Sequence, residues 1–140
     1  MSIEEIEKEI IEEFEMFDAW DDKYQHILDM GKELKPLPEN LKTDDRLIRG
    51  CQNKLWLLSE LKEGKVFYSA DSDAIITKGI VRLLIRVLSD QTPDEIINAK
   101  LEFIDKIDLK NHFSMTRANG LVSMIKQMKL DALALKSKLA

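Results

Sequence analysis

Cys51 is the single cysteine among 140 residues. It stands in Arg49-Gly50-Cys51-Gln52-Asn53-Lys54, directly before the apolar run Leu55 to Leu58. A thiol placed for packing belongs inside such a run. This one follows a glycine and precedes two amides, where a turn enters a strand, so it can be held at a tip. A persulfide, a thioester or a metal would use that position. An inert thiol would use it too, since free cysteine behaves as a small buried hydrophobe. Reactivity requires that the thiolate be stabilised by a cation or by backbone N–H groups. Arg49 and Lys54 are the neighbouring cations, free to point at the thiol or at water.

The partners that Cys51 would need for other chemistries are sparse. His26 and His112 are the two histidines. A Cys–His pair for hydrolysis needs one of them within reach of the thiol. His26 falls on the polar side of a helical pattern and reads as a surface residue. His112 lies in an irregular segment and can reach a site. Structural zinc takes about four ligands at motif spacing, which one cysteine and two scattered histidines do not supply, so no metal is expected. Thr116-Arg117-Ala118-Asn119-Gly120 opens a helix. Its free N–H groups and Arg117 can hold an anion; alternatively Arg117 is solvated and Gly120 serves close packing.

Composition bounds the rest. The chain is 44% hydrophobic and 34% charged, with a net charge of −5. That is enough apolar mass for a core, and one domain spanning residues 1–140 is the expectation for this length. The acidic balance argues against sequence-independent nucleic-acid binding, which relies on Lys and Arg. The apolar runs are far shorter than the roughly 20 residues of a membrane-spanning helix. Met1 to Glu13 is acidic and amphipathic, unlike a secretory leader. One cysteine makes no internal disulfide. The expected setting is a reducing cytoplasm, where a free thiol persists.

The elements that must hold Cys51 follow from periodicity. Ile3, Ile6, Ile10, Phe14 and Phe17 recur at helical spacing, and Asp18 offers an N-cap for a second helix striped by Trp20, Tyr24, Ile27, Leu28 and Leu34. Pro36 and Pro38 end it, leaving 35–45 as an exposed connection. Leu47-Ile48, Leu55–Leu58 and Val66–Tyr68 are short apolar runs punctuated by Gly50 and by Glu63-Gly64. That spacing predicts antiparallel strands joined by tight turns. Asp71-Ser72-Asp73 is positioned to cap a third helix, with Ile76, Ile80, Leu83, Leu84, Val87 and Leu88 buried. Thr92-Pro93-Asp94-Glu95 is a helix start. A short helix near Phe103 and a last helix capped by Ser114 or Thr116 complete the chain. Trp20 and Trp56 read as core. Strands grouped between helices predict an α+β fold: a small three-stranded antiparallel sheet packed against several helices, with helices at both ends of the chain.

Gly50-Cys51-Gln52-x-x-x-Trp56 leading into a strand resembles the active-site signature of the SufE family, sulfur acceptors that partner cysteine desulfurases. The likeness continues through Trp20-x-x-Lys23-Tyr24, Gly31, Asp71-Ser72-Asp73-Ala74, Lys78-Gly79, Thr92-Pro93 and Arg117-x-x-Gly120, in order and over nearly the whole chain. Asn53 departs from it, standing where a serine is common. The resemblance implies that Cys51 sits at the tip of the loop between the first two strands. There it would take persulfide sulfur from a pyridoxal-phosphate-dependent desulfurase, stimulate that enzyme and pass the sulfur to an iron–sulfur scaffold. It further implies that Arg117 and His112 belong to the surface around the cysteine, with Arg49, Gly50 and Gln52 in the loop itself. The chain would then be a carrier, not an enzyme, with no cofactor of its own, acting as a monomer or weak dimer without nucleic acid or membrane. The competing readings are a small-molecule hydrolase or transferase using Cys51 and His112, and a helical adaptor with an inert thiol. A single-cysteine carrier has no second thiol to recapture lost sulfur. Cys51 is therefore expected to be turned inward at rest, shielded by Ile48, Leu55 and Trp56, with its pKa raised.

Overall fold

The computed structural model describes residues 1–139. Helix α1 (Ile3–Glu15) starts from a capping box: Ser2 and Glu5 each accept the other's backbone N–H. It buries Ile3, Ile10 and Phe14. Helix α2 (Trp20–Glu33) follows without a side-chain cap. Its N-cap is Ala19, not the expected Asp18, because the chain leaves α1 through a turn that places the helix start one residue later.

Strands β1 (Leu55–Lys62) and β2 (Lys65–Ser72) form an antiparallel hairpin in register from Leu55↔Ser72 to Lys62↔Lys65. Glu63 (φ 52°) and Gly64 (φ 80°) make the two-residue turn, the left-handed pair whose twist matches the strands. Leu55, Leu57, Val66, Tyr68 and Ala70 face the core. The expected third strand does not form: among the described residues the sheet has two strands. Leu47-Ile48 makes a single bridge, Leu47↔Trp56, and one bond from Ile48 N–H to Leu55 O at 2.9 Å. Two apolar residues between the 3-10 turn Asp44–Arg46 and the left-handed Gly50 (φ 90°) are too few to extend a ladder. Cys51 consequently lies in a loop between that bridge and β1, not between two strands. On β2, Val66 exchanges bonds with Gln91 O (2.9 Å) and Asp90 N–H (2.8 Å), and Tyr68 N–H donates to Ser89 Oγ at 3.0 Å.

Helix α3 (Ile75–Leu88) is the most buried element, with Ile76, Ile80, Val81, Leu83, Leu84, Val87 and Leu88 inside. It crosses α2 at two glycines. A Cβ on Gly79 would stand 2.1 Å from Ile27 O, and one on Gly31 would stand 2.6 Å from Ile75 O. The helices therefore touch backbone to backbone. Helix α4 (Pro93–Asn98) begins with the expected Thr92–Glu95 capping box. After the short α5 (Phe103–Lys106), α6 (Met115–Lys136) starts from Ser114, whose hydroxyl accepts Arg117 N–H at 3.2 Å. It runs over β1 and α3, burying Gly120, Leu121, Met124, Met128 and Ala132. The Tyr68 hydroxyl ties the hairpin to it through Met128 O, at 2.6 Å.

Candidate functional site at Cys51

The loop 49–54 is fixed at its neck and along its exit. Besides the Ile48–Leu55 bond, Lys54 N–H donates to Asp73 Oδ1 (3.1 Å) and Lys54 O accepts the Ser72 hydroxyl (2.6 Å). Asp71 is buried and holds the incoming segment. Its carboxylate accepts Leu37 N–H at 3.0 Å and pairs with Lys42 (3.1 Å) and Lys78 (3.7 Å). Burial works to raise its pKa, but the Lys42 ammonium and the N–H groups of Ser72 and Leu37 prevail and hold it below the ordinary carboxylate value. Lys42 in turn lies over the Trp56 ring, 5.4 Å from its centroid. The connection 35–45 is thus less exposed than expected, with Leu37 buried. Asp71, Ser72 and Asp73 serve this loop and do not supply the N-cap of α3, which is Ala74.

Gly50 is required twice. Its φ of 90° is left-handed, and a Cβ there would lie 2.4 Å from Ser123 Oγ on α6. This close approach turns the half-buried Cys51 onto the first turns of α6. Its Sγ–H donates to Gly120 O at 3.7 Å. Burial pushes the thiol pKa above its ordinary value, as expected for a group whose charged form loses solvation. A small cavity of about 20 Å³ lies beside Cys51. Its walls are Thr77 and Ile80 from α3, Gly120 and Met124 from α6, with Thr116, Arg117 and the loop amides Gln52 and Asn53 at its edge. Neither Ile48, Leu55 nor Trp56 lines it. The inward turn matches the sequence expectation, but the shielding groups come from two later helices.

Of the residues expected around the thiol, Arg117 lines the cavity, its guanidinium 5.9 Å from the Phe113 ring centroid. Arg49, Gln52 and Lys54 are exposed and border an open groove on the outer side of the loop. His112 is exposed, stacked on Trp20 with centroids 4.0 Å apart and planes 9° from parallel, and 3.3 Å from Asp108. It does not line the cavity. His26 is not a free surface residue: it packs against Phe14 and Phe17 and meets Glu13 at 3.2 Å. Thr77 was not anticipated, although its place three residues before Ile80 puts a hydroxyl on the buried stripe.

Residues 8–132 match the family model described as "SufE: Fe-S metabolism associated domain". The chain is 33% identical over 129 residues to an uncharacterised SufE-like protein of Rhizobium meliloti, covering 89% of this chain and 92% of that protein. It is 35% identical over 125 residues to an uncharacterised SufE-like protein of Synechocystis, covering 89% and 79%. In fold it is similar to the solution structure of a hypothetical protein from Thermus thermophilus, with a TM-score of 0.78 at 18% identity over 94% of this chain and 96% of that one. With its glycine-led cysteine loop and a family match spanning most of its length, the chain belongs to the SufE family, whose domain is associated with Fe–S metabolism.

Proposed function

We propose that Cys51 accepts sulfur from the persulfide of a pyridoxal-phosphate-dependent cysteine desulfurase, stimulates that enzyme and delivers the sulfur to an iron–sulfur scaffold in the cytoplasm. The observation that carries this reading is the half-buried Cys51 thiol, facing the small cavity between α3 and α6. In the transfer, the Cys51 thiolate attacks the outer sulfur of the partner's persulfide. A Cys51 Sγ–S bond forms, the partner's S–S bond breaks, and its cysteine leaves as thiolate. Arg117, at the cavity edge, is the cation placed to favour the attacking anion. A Cys–His hydrolase would need His112 on the thiol, whereas His112 is engaged by Trp20 and Asp108 and the thiol by Gly120.

Because burial raises the Cys51 pKa, the thiolate fraction at neutral pH lies below that of a free cysteine. Alkylation of the folded protein by a small neutral reagent is therefore expected to be slow. Its rate should rise with pH about a midpoint above that of an unfolded control, and adding the desulfurase with its own cysteine mutated should accelerate it. Labelling of the free protein at the unfolded rate would remove the shielding from this account.

The docking surface on this reading is the Cys51 loop together with the start of α6. Arg117→Ala is expected to lower sulfur transfer about tenfold, the scale of one hydrogen bond to a charged group. His112→Ala is expected to weaken partner affinity. Wild-type affinity and transfer in both variants would relocate the surface.

A further inference from the structure

Thr77 is 7% exposed, yet its hydroxyl has no hydrogen-bond partner among the described residues. A helical threonine ordinarily returns its hydroxyl to a carbonyl one turn back. No fully enclosed side-chain oxygen or nitrogen lacks a partner among the described residues, so the Thr77 hydroxyl must meet open space. Thr77 lines the cavity beside Cys51. That cavity, at about 20 Å³, admits one water-sized sphere. It has room for one further atom on Sγ. Arg117 is the one charged side chain lining it, and Cys51 the other titratable group.

We propose that Thr77 is a catalytic residue: its hydroxyl donates a hydrogen bond to the outer sulfur of the Cys51 persulfide and holds that sulfur in the cavity as an anion. This rests on the sulfur-acceptor reading above. Loading leaves Cys51 carrying –S–SH, whose proton passes to solvent. The resulting anion accepts the Thr77 hydrogen bond without taking its proton. On unloading, the outer sulfur takes a proton back from solvent, the acceptor's thiolate attacks it, the Cys51 Sγ–S bond breaks, Cys51 leaves as thiolate and the Thr77 donor is released. Apolar walls at Ile80 and Met124 alone would penalise the anion; the hydroxyl offsets that penalty at the one atom where the charge resides.

The test compares wild type with Thr77→Val, Thr77→Ser and Thr77→Ala. Each protein is incubated with desulfurase, pyridoxal phosphate and cysteine, and the added sulfur is confirmed by whole-protein mass. The persulfide is then alkylated with iodoacetamide across pH. The midpoint is expected to rise by about one pH unit, a tenfold loss of acidity, in Thr77→Val and Thr77→Ala. Thr77→Ser should restore the wild-type midpoint, which a purely structural role would not do. Should Thr77→Val not fold, the Ser and Ala pair isolates the hydroxyl in a smaller side chain. Equal midpoints in loaded wild type and loaded Thr77→Ala overturn the role of Thr77 and leave the acceptor reading standing. Failure of wild type to gain sulfur overturns the acceptor reading itself.

Discussion

Cys51→Ser is expected to abolish sulfur acceptance and to return partner desulfurase turnover to its unstimulated level. Serine keeps the size and the bond to Gly120 O but offers no thiolate at neutral pH, and an oxygen there cannot carry sulfane sulfur through thiol exchange. No other thiol in the chain can substitute. The loop does not depend on this side chain, since Ile48, Ser72 and Asp73 fix it by bonds to the backbone of Leu55 and Lys54. The melting temperature should therefore stay within a few degrees of wild type. Sulfide release in the presence of a small reductant is the measurement. Stimulation equal to wild type would remove Cys51 from the pathway.

Gly79→Ala is expected to be the most destabilising single-methyl change in the chain. In an open helix the same change gains about 1 kcal/mol of helix propensity. Here the new Cβ would lie 2.1 Å from Ile27 O and 2.8 Å from Ile27 C. Those are backbone atoms and cannot rotate away, so α2 and α3 must separate. Overpacking of this kind costs about 1–3 kcal/mol and sometimes more, equivalent to a melting temperature lower by roughly 10 °C. Gly31→Ala should act in the same direction, since its Cβ would meet Ile75 O and Gly79 N. Gly64→Ala is the contrast: nothing lies within 4 Å of its Cβ, and only the left-handed backbone opposes it, at about 1 kcal/mol. A Gly79→Ala protein as stable as Gly64→Ala in urea would refute the close crossing. Because α3 carries Thr77 and Ile80, the Gly79 variant should also expose Cys51 to alkylation.

Periodicity and capping chemistry made most helices legible. The stripes of α1 and α3, the Thr92–Glu95 box and the Ser114 cap all depend on residues within one or two turns of each other. The parts that were not legible depend on distant partners. Leu47-Ile48 has the composition of a strand, but its length is set by the turns on either side, and only the assembled loop reveals that. Asp71-Ser72-Asp73 has the composition of a helix cap. Lys54, brought alongside by the hairpin register, claims Ser72 and Asp73, while Leu37 and Lys42 claim Asp71. At the site itself, the cysteine loop and Arg117 stood out by residue type. The walls of the cavity did not, because Ile80 and Met124 are ordinary core residues until α3 and α6 are placed beside Cys51. Thr77 carried a local signal, a hydroxyl on an otherwise apolar face.

The two-stranded hairpin has a bearing on how other proteins can approach. A ribbon of two strands has two free edges, and free edges invite a third strand from another chain. Each is partly occupied here. Ser89, Asp90 and Gln91 occupy the outer N–H and C=O of Val66 and the N–H of Tyr68. Ile48 occupies Leu55 O on the opposite border. A visiting strand would have to displace these bonds at those positions before making its own, which raises the cost of sheet extension there. Side chains and loops remain the less expensive means of contact, and the Cys51 loop is one of them.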